Sequence, residues 1–547
     1  MALRSQMNQE ETLALWKQGK EAWNAWAEEM LRRRDDLQKR SELTLDAFSL
    51  EIIGENESTK QWIQAAQAVF SSEENPTTFS SDIDLDGVIF PFSVSFYCAQ
   101  IHGSINFSHC VFEHTFKLKK CLINGSINFR ESHFKGLFSI DETEIKSECL
   151  FFETLFNDSC QIYRSSLCGY VNFNSAEFSD EFRISDCAFL SDSSFCGANF
   201  AETADFRDCS FWGAIELNWS TFKSSTSFIN CMFSADFELN EVHFQKDFFL
   251  RTIEVGGVFS SQKNEFDDEV VIEDTTFSSD CSLSYCTFKR SCLLLNVNFG
   301  GHSDFKASNF SQGLSFHSSE FQFVPDFSQT HFLESPALDG VIIKFSPTQT
   351  VKSDESQNNT SLVWRYRSLK RIAIQAHDHG KEQEYFAAEL KSRRLFIDRP
   401  WSFRWWLNLS FEVFSDYGRS ILRPLFSWLI SIILFSYLYF LLHLPKGNFW
   451  AFDEGKCVDG NGSALKSAVL LSTSKALVFS AASGKEAQEL AKLCLYGGNA
   501  NESSPYSSPL PNHLFHSLFY LEVTQVIWSS ILVFLILLGI RNHFKLK

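Results

Sequence analysis

The chain of 547 residues holds little proline, 11 residues, and only 25 glycines, so its bulk is not low-complexity disorder. It lacks an excess of basic charge: 48 Lys and Arg stand against 67 Asp and Glu, a net of −19. That balance argues against whole-molecule binding to a phosphate backbone. Residues 1–20 (MALRSQMNQEETLALWKQGK) are charged throughout and lack the apolar run of a secretory signal. No P-loop, GxSxG, HExxH or spaced metal-ligand pattern stands out, so the sequence offers no catalytic, cofactor-binding or metal site and reads as non-enzymatic. What it has in excess is phenylalanine, 58 residues, more than one in ten.

Those phenylalanines keep a register. Apolar residues recur every eleven positions from Leu85 to Leu338, and a second series runs five residues behind the first, from Phe90 to Ile343. The 24 units give 48 marked positions, of which 29 are Phe and only Ser261 is not apolar. Among the marks, Phe107, Phe112, Phe129, Phe134, Phe195, Phe200, Phe206, Phe211, Phe305 and Phe310 are assigned to the core. A third series of small side chains, including Ala99, Cys110, Cys121, Ser132, Thr143 and Thr154, precedes the second mark by two. At that spacing both side chains point to one side of an extended backbone. A right-handed coiled coil also repeats every eleven residues but needs strong helix formers. Units built of Ser, Thr, Asn, Gly and Phe predict a β-solenoid instead.

Thirteen of the 15 cysteines lie between Cys98 and Cys292, and ten of those sit two before a mark, so they read as reduced core filler. Spacings such as Cys110 to Cys121 match no zinc pattern.

Units such as CVFEHTF, AEFSDEF, CAFLSDSSFCGANF and ADFRDCSF resemble the Phe-centred branch of the pentapeptide-repeat family. The resemblance implies a right-handed quadrilateral β-helix, making the protein mainly β. The spacing of five then six, in place of strict fives, implies about 22 residues per coil, about 12 coils, and a rod roughly 55 Å long at ~4.8 Å per strand. WKQGKEAWNAW also resembles the lead-in of many such proteins. Further on, YRSLKRIAIQAHDHGKEQEYFAAELKSRR, SDYGRSILRPL and GIRNHFKLK resemble membrane-anchored bacterial pentapeptide-repeat proteins with a C-terminal two-span, channel-like module.

The expected organisation follows. Residues 1–80 form an N-terminal helical cap, with one helix pattern over residues 10–40 marked by Leu13, Trp16, Gly19, Trp23 and Trp26. Residues 81–345 form the β-helix, 346–361 a linker and 362–400 a basic helical connector. In the connector, His377, Asp378 and His379 read as solvated polar positions, because adjacent residues diverge on a helix. Residues 401–420 are an interfacial amphipathic segment rich in Trp, and 421–547 a two-helix transmembrane module with an external loop over 445–517. The uncharged runs at residues 425–444 and 523–540 are of spanning length.

Cations at Arg404, Arg419 and Arg423 before the first span, and at Arg541, Lys545 and Lys547 after the second, predict both termini in the cytoplasm; the resemblance implies that the membrane is a bacterial inner membrane. Cys457 and Cys494, in the loop, then lie on the oxidising side and can pair. Span, short apolar helix and span is also the layout of channels with a re-entrant helix, so Lys466, Lys475 and Glu522 are candidate pore or loop residues. A loop helix packed on the outer surface fits the pattern as simply, and no TVGYG filter occurs.

Residues 81–344 hold 37 acidic and 17 basic side chains, so the solenoid carries the net negative charge. Acidic rods mimic DNA in some pentapeptide-repeat proteins that bind topoisomerases; a solvated surface that keeps a repeat protein soluble is the plainer reading. The expectation is an oligomeric channel-like effector or sensor with a cytosolic partner-binding solenoid. A membrane-tethered scaffold and an acidic DNA mimic are the alternatives. The partners expected are the bilayer, further copies of the chain and an unidentified protein on the acidic solenoid, without nucleic acid.

Overall fold

The computed structural model describes residues 7–40, 44–45, 52–53, 57–338, 340–344, 356–442, 461–477, 488, 491–492, 495–496 and 512–545. The chain divides into two units, residues 1–352 with 371–376 and residues 353–370 with 377–547.

The first unit is a parallel β-solenoid. Each coil carries four short strands, as in Ile105–Asn106, Val111–Phe112, Phe116–Lys119 and Leu122–Ile123. Each pairs in parallel with the strand 22 residues on: Ile105↔Ile127, Val111↔His133, Phe116↔Phe138 and Leu122↔Glu144. The four resulting sheets hold 11, 12, 12 and 13 strands, so the stack has about 12 coils, as the period predicts. Because pairing is in exact multiples of two units, equivalent positions meet coil after coil. The twelve phenylalanines from Phe90 to Phe332 form one continuous file, with successive ring centroids 4.4–5.4 Å apart and ring planes within 10°. That separation is the strand spacing itself, so ring stacking and the hydrogen-bond ladder favour the same rise.

Along one face, the bulkier residue shifts between paired inward positions from coil to coil. On the face that includes Ile105, the inward residue and the mark two positions later exchange bulk: Ser193 with Phe195 and Ser303 with Phe305, but Phe237 with Leu239 and Phe259 with Ser261. Ser261, the one polar mark, is thus compensated by Phe259, and its hydroxyl accepts from Asn264 Nδ2 at 2.7 Å. Close packing tolerates such exchange and not its absence.

Every eleventh residue from Gly87 to Gly340 turns a corner with φ between +46° and +74°, and 21 of these 24 are not glycine. The turn after Phe107 is typical: Cys110 N–H donates to Phe107 O at 3.3 Å, and His109, left-handed, donates to Arg130 O of the next coil at 2.9 Å. Thr252 is β-branched, exposed and at φ +56°, with its N–H on Glu273 O. Thr252→Gly is expected to raise the stability of these coils by about 0.5–1 kcal/mol, whereas Thr252→Pro breaks them, read by urea unfolding of the full chain.

The helices before the solenoid close its first coil. The pattern over residues 10–40 is split: α1 (Gln9–Trp16) and α2 (Lys20–Lys39) meet at Gly19, whose φ of +93° no continuous helix allows. With α3 (Glu57–Ala66) they lie on the open edge. Trp23, 1% exposed, stacks on Phe70 at 5.8 Å and donates from Nε1 to Ile89 O. Asn24 donates to Gly87 O and accepts from Ile89 N–H, occupying backbone groups that would otherwise template aggregation. Ladder strands already stand at Ala68–Ser71 and Thr78–Phe79, before the boundary at residue 81 read from the period.

The second unit is helical. α4 (Ser356–Gln375) begins inside the segment read as linker, and α5 (His379–Phe396) follows; Glu389 of α5, buried, takes Arg367 and Lys370 of α4. After α6 (Phe403–Ser415) come α7 (Leu422–Leu441), α8 (Asn461–Ala476) and α9 (Asn512–Lys545).

Candidate functional site

α7 and α9 are long and apolar enough to cross a membrane, yet only 28% of each spanning window is buried. A soluble core helix of this composition would be covered on all sides; here most of an apolar surface faces outward. They run antiparallel in close contact where glycine permits it. A Cβ on Gly539 would lie 3.1 Å from Ile421 Cγ1, and Asn542 Nδ2 donates to Gly418 O at 3.2 Å. Counting outward from that contact brings Phe435 level with Gln525, and Tyr439 level with Glu522.

At that level the two apolar helices and α8 enclose a polar cluster. Gln525, fully buried, accepts from Tyr439 Oη at 2.8 Å and donates to Ser472 O and Oγ at 2.9 and 2.8 Å. Ser472 Oγ in turn donates to Ile432 O, midway along α7, and Tyr496 Oη donates to Tyr439 O. Glu522 carries two cations, Lys475 Nζ at 2.9 Å and Lys492 Nζ at 2.7 Å. One turn further along the same face of α9, Ser529 Oγ is buried without a hydrogen-bond partner among the described residues. Ala468, Leu471, Ser472 and Lys475 share one face of α8 and point into the cluster, while Val469 and Leu470 are exposed away from it. α8 therefore packs alongside α7 and α9, reaching the middle of α7 at Ile432, rather than lying across their ends.

Of the three pore or loop candidates, the structure brings together Lys475 and Glu522; Lys466 is exposed on α8 and takes no part. Cys457 and Cys494 lie outside the described residues. Sequence reasoning missed Tyr439, Ser472, Lys492, Tyr496 and Gln525. The available signal was Gln525, an amide three residues after Glu522 inside an uncharged run, which a count of charges passes over.

Within the solenoid, Phe107, Phe112, Phe129, Phe134, Phe195, Phe200, Phe206, Phe211, Phe305 and Phe310 are all at most 1% exposed. The ten cysteines two before a mark are buried, and the other three, Cys98, Cys168 and Cys196, are half-buried. Cys110 Sγ donates to Leu85 O at 2.9 Å, the bond that Ser132 Oγ makes to Phe107 O in the next coil, so a thiol stands where a hydroxyl does. Burial pushes the thiols of Cys110 and Cys286 up to about 12 and that of Cys121 up to about 11. In the native full chain, maleimide is expected to label Cys98, Cys168 and Cys196 while the other ten solenoid cysteines react only on unfolding, mapped by peptide mass spectrometry.

His243, Glu265 and Asp267 hold possible metal-ligand atoms within 4.8 Å of one another. Lys289 Nζ already sits on that pair of carboxylates, 2.6 Å from Glu265 and 2.8 Å from Asp267, and so supplies the cation. Burial pushes Asp267 up, but bonds from Lys289 and His243 outweigh it and hold the carboxyl below its usual range. Its contribution to stability is present above about pH 4 and is lost as pH falls through the lowered value. A shallow groove of about 610 Å³ runs along one corner of the coils, with Asp208, Glu254 and Asp274 beside Asn230 and Thr252. Comparison of the chain with family profiles, with curated proteins and with solved structures finds no match.

Proposed function

We propose that this chain is a membrane-anchored β-solenoid protein of pentapeptide-repeat type that assembles into a channel-like oligomer, with α7 and α9 crossing the bilayer and α8 re-entering it. The observation that carries this reading is the polar cluster of Glu522, Lys475, Lys492, Gln525 and Ser472, enclosed by helices whose other faces are apolar and exposed. Polar groups at that depth are expensive and are kept where they line a path or hold a pair together. Two spans cannot enclose a pathway alone, so copies meet through the exposed apolar face of α8. The cations at Arg404, Arg419, Arg423 and Arg541 support a solenoid on the cytoplasmic side, and its acidic groove suits a basic protein partner.

Ionic current from purified full-length protein in planar bilayers, beside a control ending before Trp401, tests it. Discrete conductance steps from the full chain alone are expected. Silence together with a monomeric particle would overturn the channel. The second reading, a tethered scaffold, would then stand on the same acidic groove.

A further inference from the structure

The helical unit holds a concavity whose chemistry differs from that of the solenoid groove. Between α6 and α9 lies a groove of about 860 Å³, within the range of about 300–1,000 Å³ typical of small-ligand sites. Its walls are apolar: Leu407, Phe411 and Phe414 from α6 face Trp528, Ile531 and Leu535 from α9. One end is polar. Arg393 and Arg404 line it together with Asp398 and Asn408. Asp398 lies 3.8 Å from Arg393 and neutralises part of its charge, whereas Arg404 makes no ion pair among the described residues. Asn408 spends its amide N–H on Leu390 O at 2.7 Å, and its Oδ1 is buried with no hydrogen-bond donor among the described residues. The groove thus offers an apolar trough, a surplus cation and an acceptor that lacks a donor. Leu538, also in its lining, lies against Gly418, so the groove sits toward the end of α9 that carries Arg541.

We propose that this groove holds one anionic glycerophospholipid whose headgroup bears a hydroxyl, such as phosphatidylglycerol. Its acyl chain lies between α6 and α9, its phosphate meets Arg404 and Arg393, and its headgroup hydroxyl donates to Asn408 Oδ1. Basic pockets between helices at the cytoplasmic interface recognise anionic headgroups in this way. A zwitterionic choline headgroup supplies the phosphate but brings its own cation beside Arg404 and has no hydroxyl for Asn408. The inference rests on the reading that α7 and α9 cross a bilayer.

The test uses the full-length protein in mild detergent, with phosphatidylglycerol and phosphatidylcholine of the same acyl chains, counting retained lipids per chain by native mass spectrometry. One phosphatidylglycerol per chain is expected to be held at least about tenfold more tightly than phosphatidylcholine. The pair Arg393→Gln and Arg404→Gln should bring the two lipids level, and Leu535→Trp should displace both, with helix content by circular dichroism unchanged in each variant. Arg404→Lys, which keeps the charge, should retain the preference. Equal retention of the two lipids, or a preference that survives loss of both arginines, would overturn the proposal. So would a Leu535→Trp variant that changes the oligomeric mass and leaves the lipid count alone, because a second copy of the chain would then be the occupant. Alkaline carbonate extraction separates the two layers of inference. Release of the protein from membranes overturns the spanning reading and the lipid site with it; firm retention without lipid preference overturns the lipid site only.

Discussion

Replacing Phe129 with alanine is expected to cost about 3–5 kcal/mol, and to do so locally. Phe129 is fully buried, stacked between Phe107 at 5.1 Å and Phe151 at 5.2 Å. Its ring edges meet Phe116, Phe134 and Phe138 at 5.2–5.5 Å, so rings of three coils lose a neighbour at once. The backbone around it is pinned by ladder bonds to the coils on both sides, so the cavity cannot close by moving one strand. Phe129→Leu, which keeps most of the volume, should cost under about 1.5 kcal/mol. Phe332→Ala, at the end of its file and only half-buried, should cost less than the Phe129 change. Because each coil touches only its neighbours, hydrogen exchange should show lost protection in the coils around residue 129 and none near residue 300. Uniform loss along the whole stack would show instead that the solenoid unfolds as one unit.

The solenoid was legible in the sequence because a repeat reports its own register. One residue type at a fixed spacing gave the coil length, the inward face and the placing of the buried cysteines. What the period does not carry is how a corner is turned. The left-handed positions hold His109, Arg164, Trp219 and Thr252 alike, because the side chain there points to solvent and only the backbone is constrained. Gly19 shows the reverse case: helical periodicity on both sides hid a break that depends on one φ angle. In the helical unit the two long apolar helices were legible from length and charge, but the packing between them was not. Lys475 and Glu522 stood out as charges in apolar surroundings, yet their pairing joins segments far apart in sequence, and Lys492 comes from a third. Tyr439 and Gln525 are uncharged, so nothing in a hydropathy reading separates them from the exposed apolar residues beside them.

Removing the carboxylate at Glu522 should be the most damaging single change in the helical unit. Glu522→Ala leaves Lys475 and Lys492 facing each other in a part-buried site with no counter-ion, an arrangement that typically costs about 3–5 kcal/mol. Lys475→Met should cost far less, because Lys492 at 2.7 Å still neutralises Glu522. The asymmetry follows from the count of charges, one anion against two cations, and not from the strength of either pair. Replacing all three together, with Glu522→Leu, Lys475→Met and Lys492→Met, should recover most of the stability, since a buried ion cluster exchanged for packed apolar groups is often neutral. Thermal unfolding of the full chain in detergent measures all three variants. The triple variant then separates the roles of the cluster: if its charges serve only to hold α8 against α9, it keeps both fold and conductance. If they line the path, it keeps the fold and loses the current, and Gln525 with Ser529 below it becomes the next pair to change.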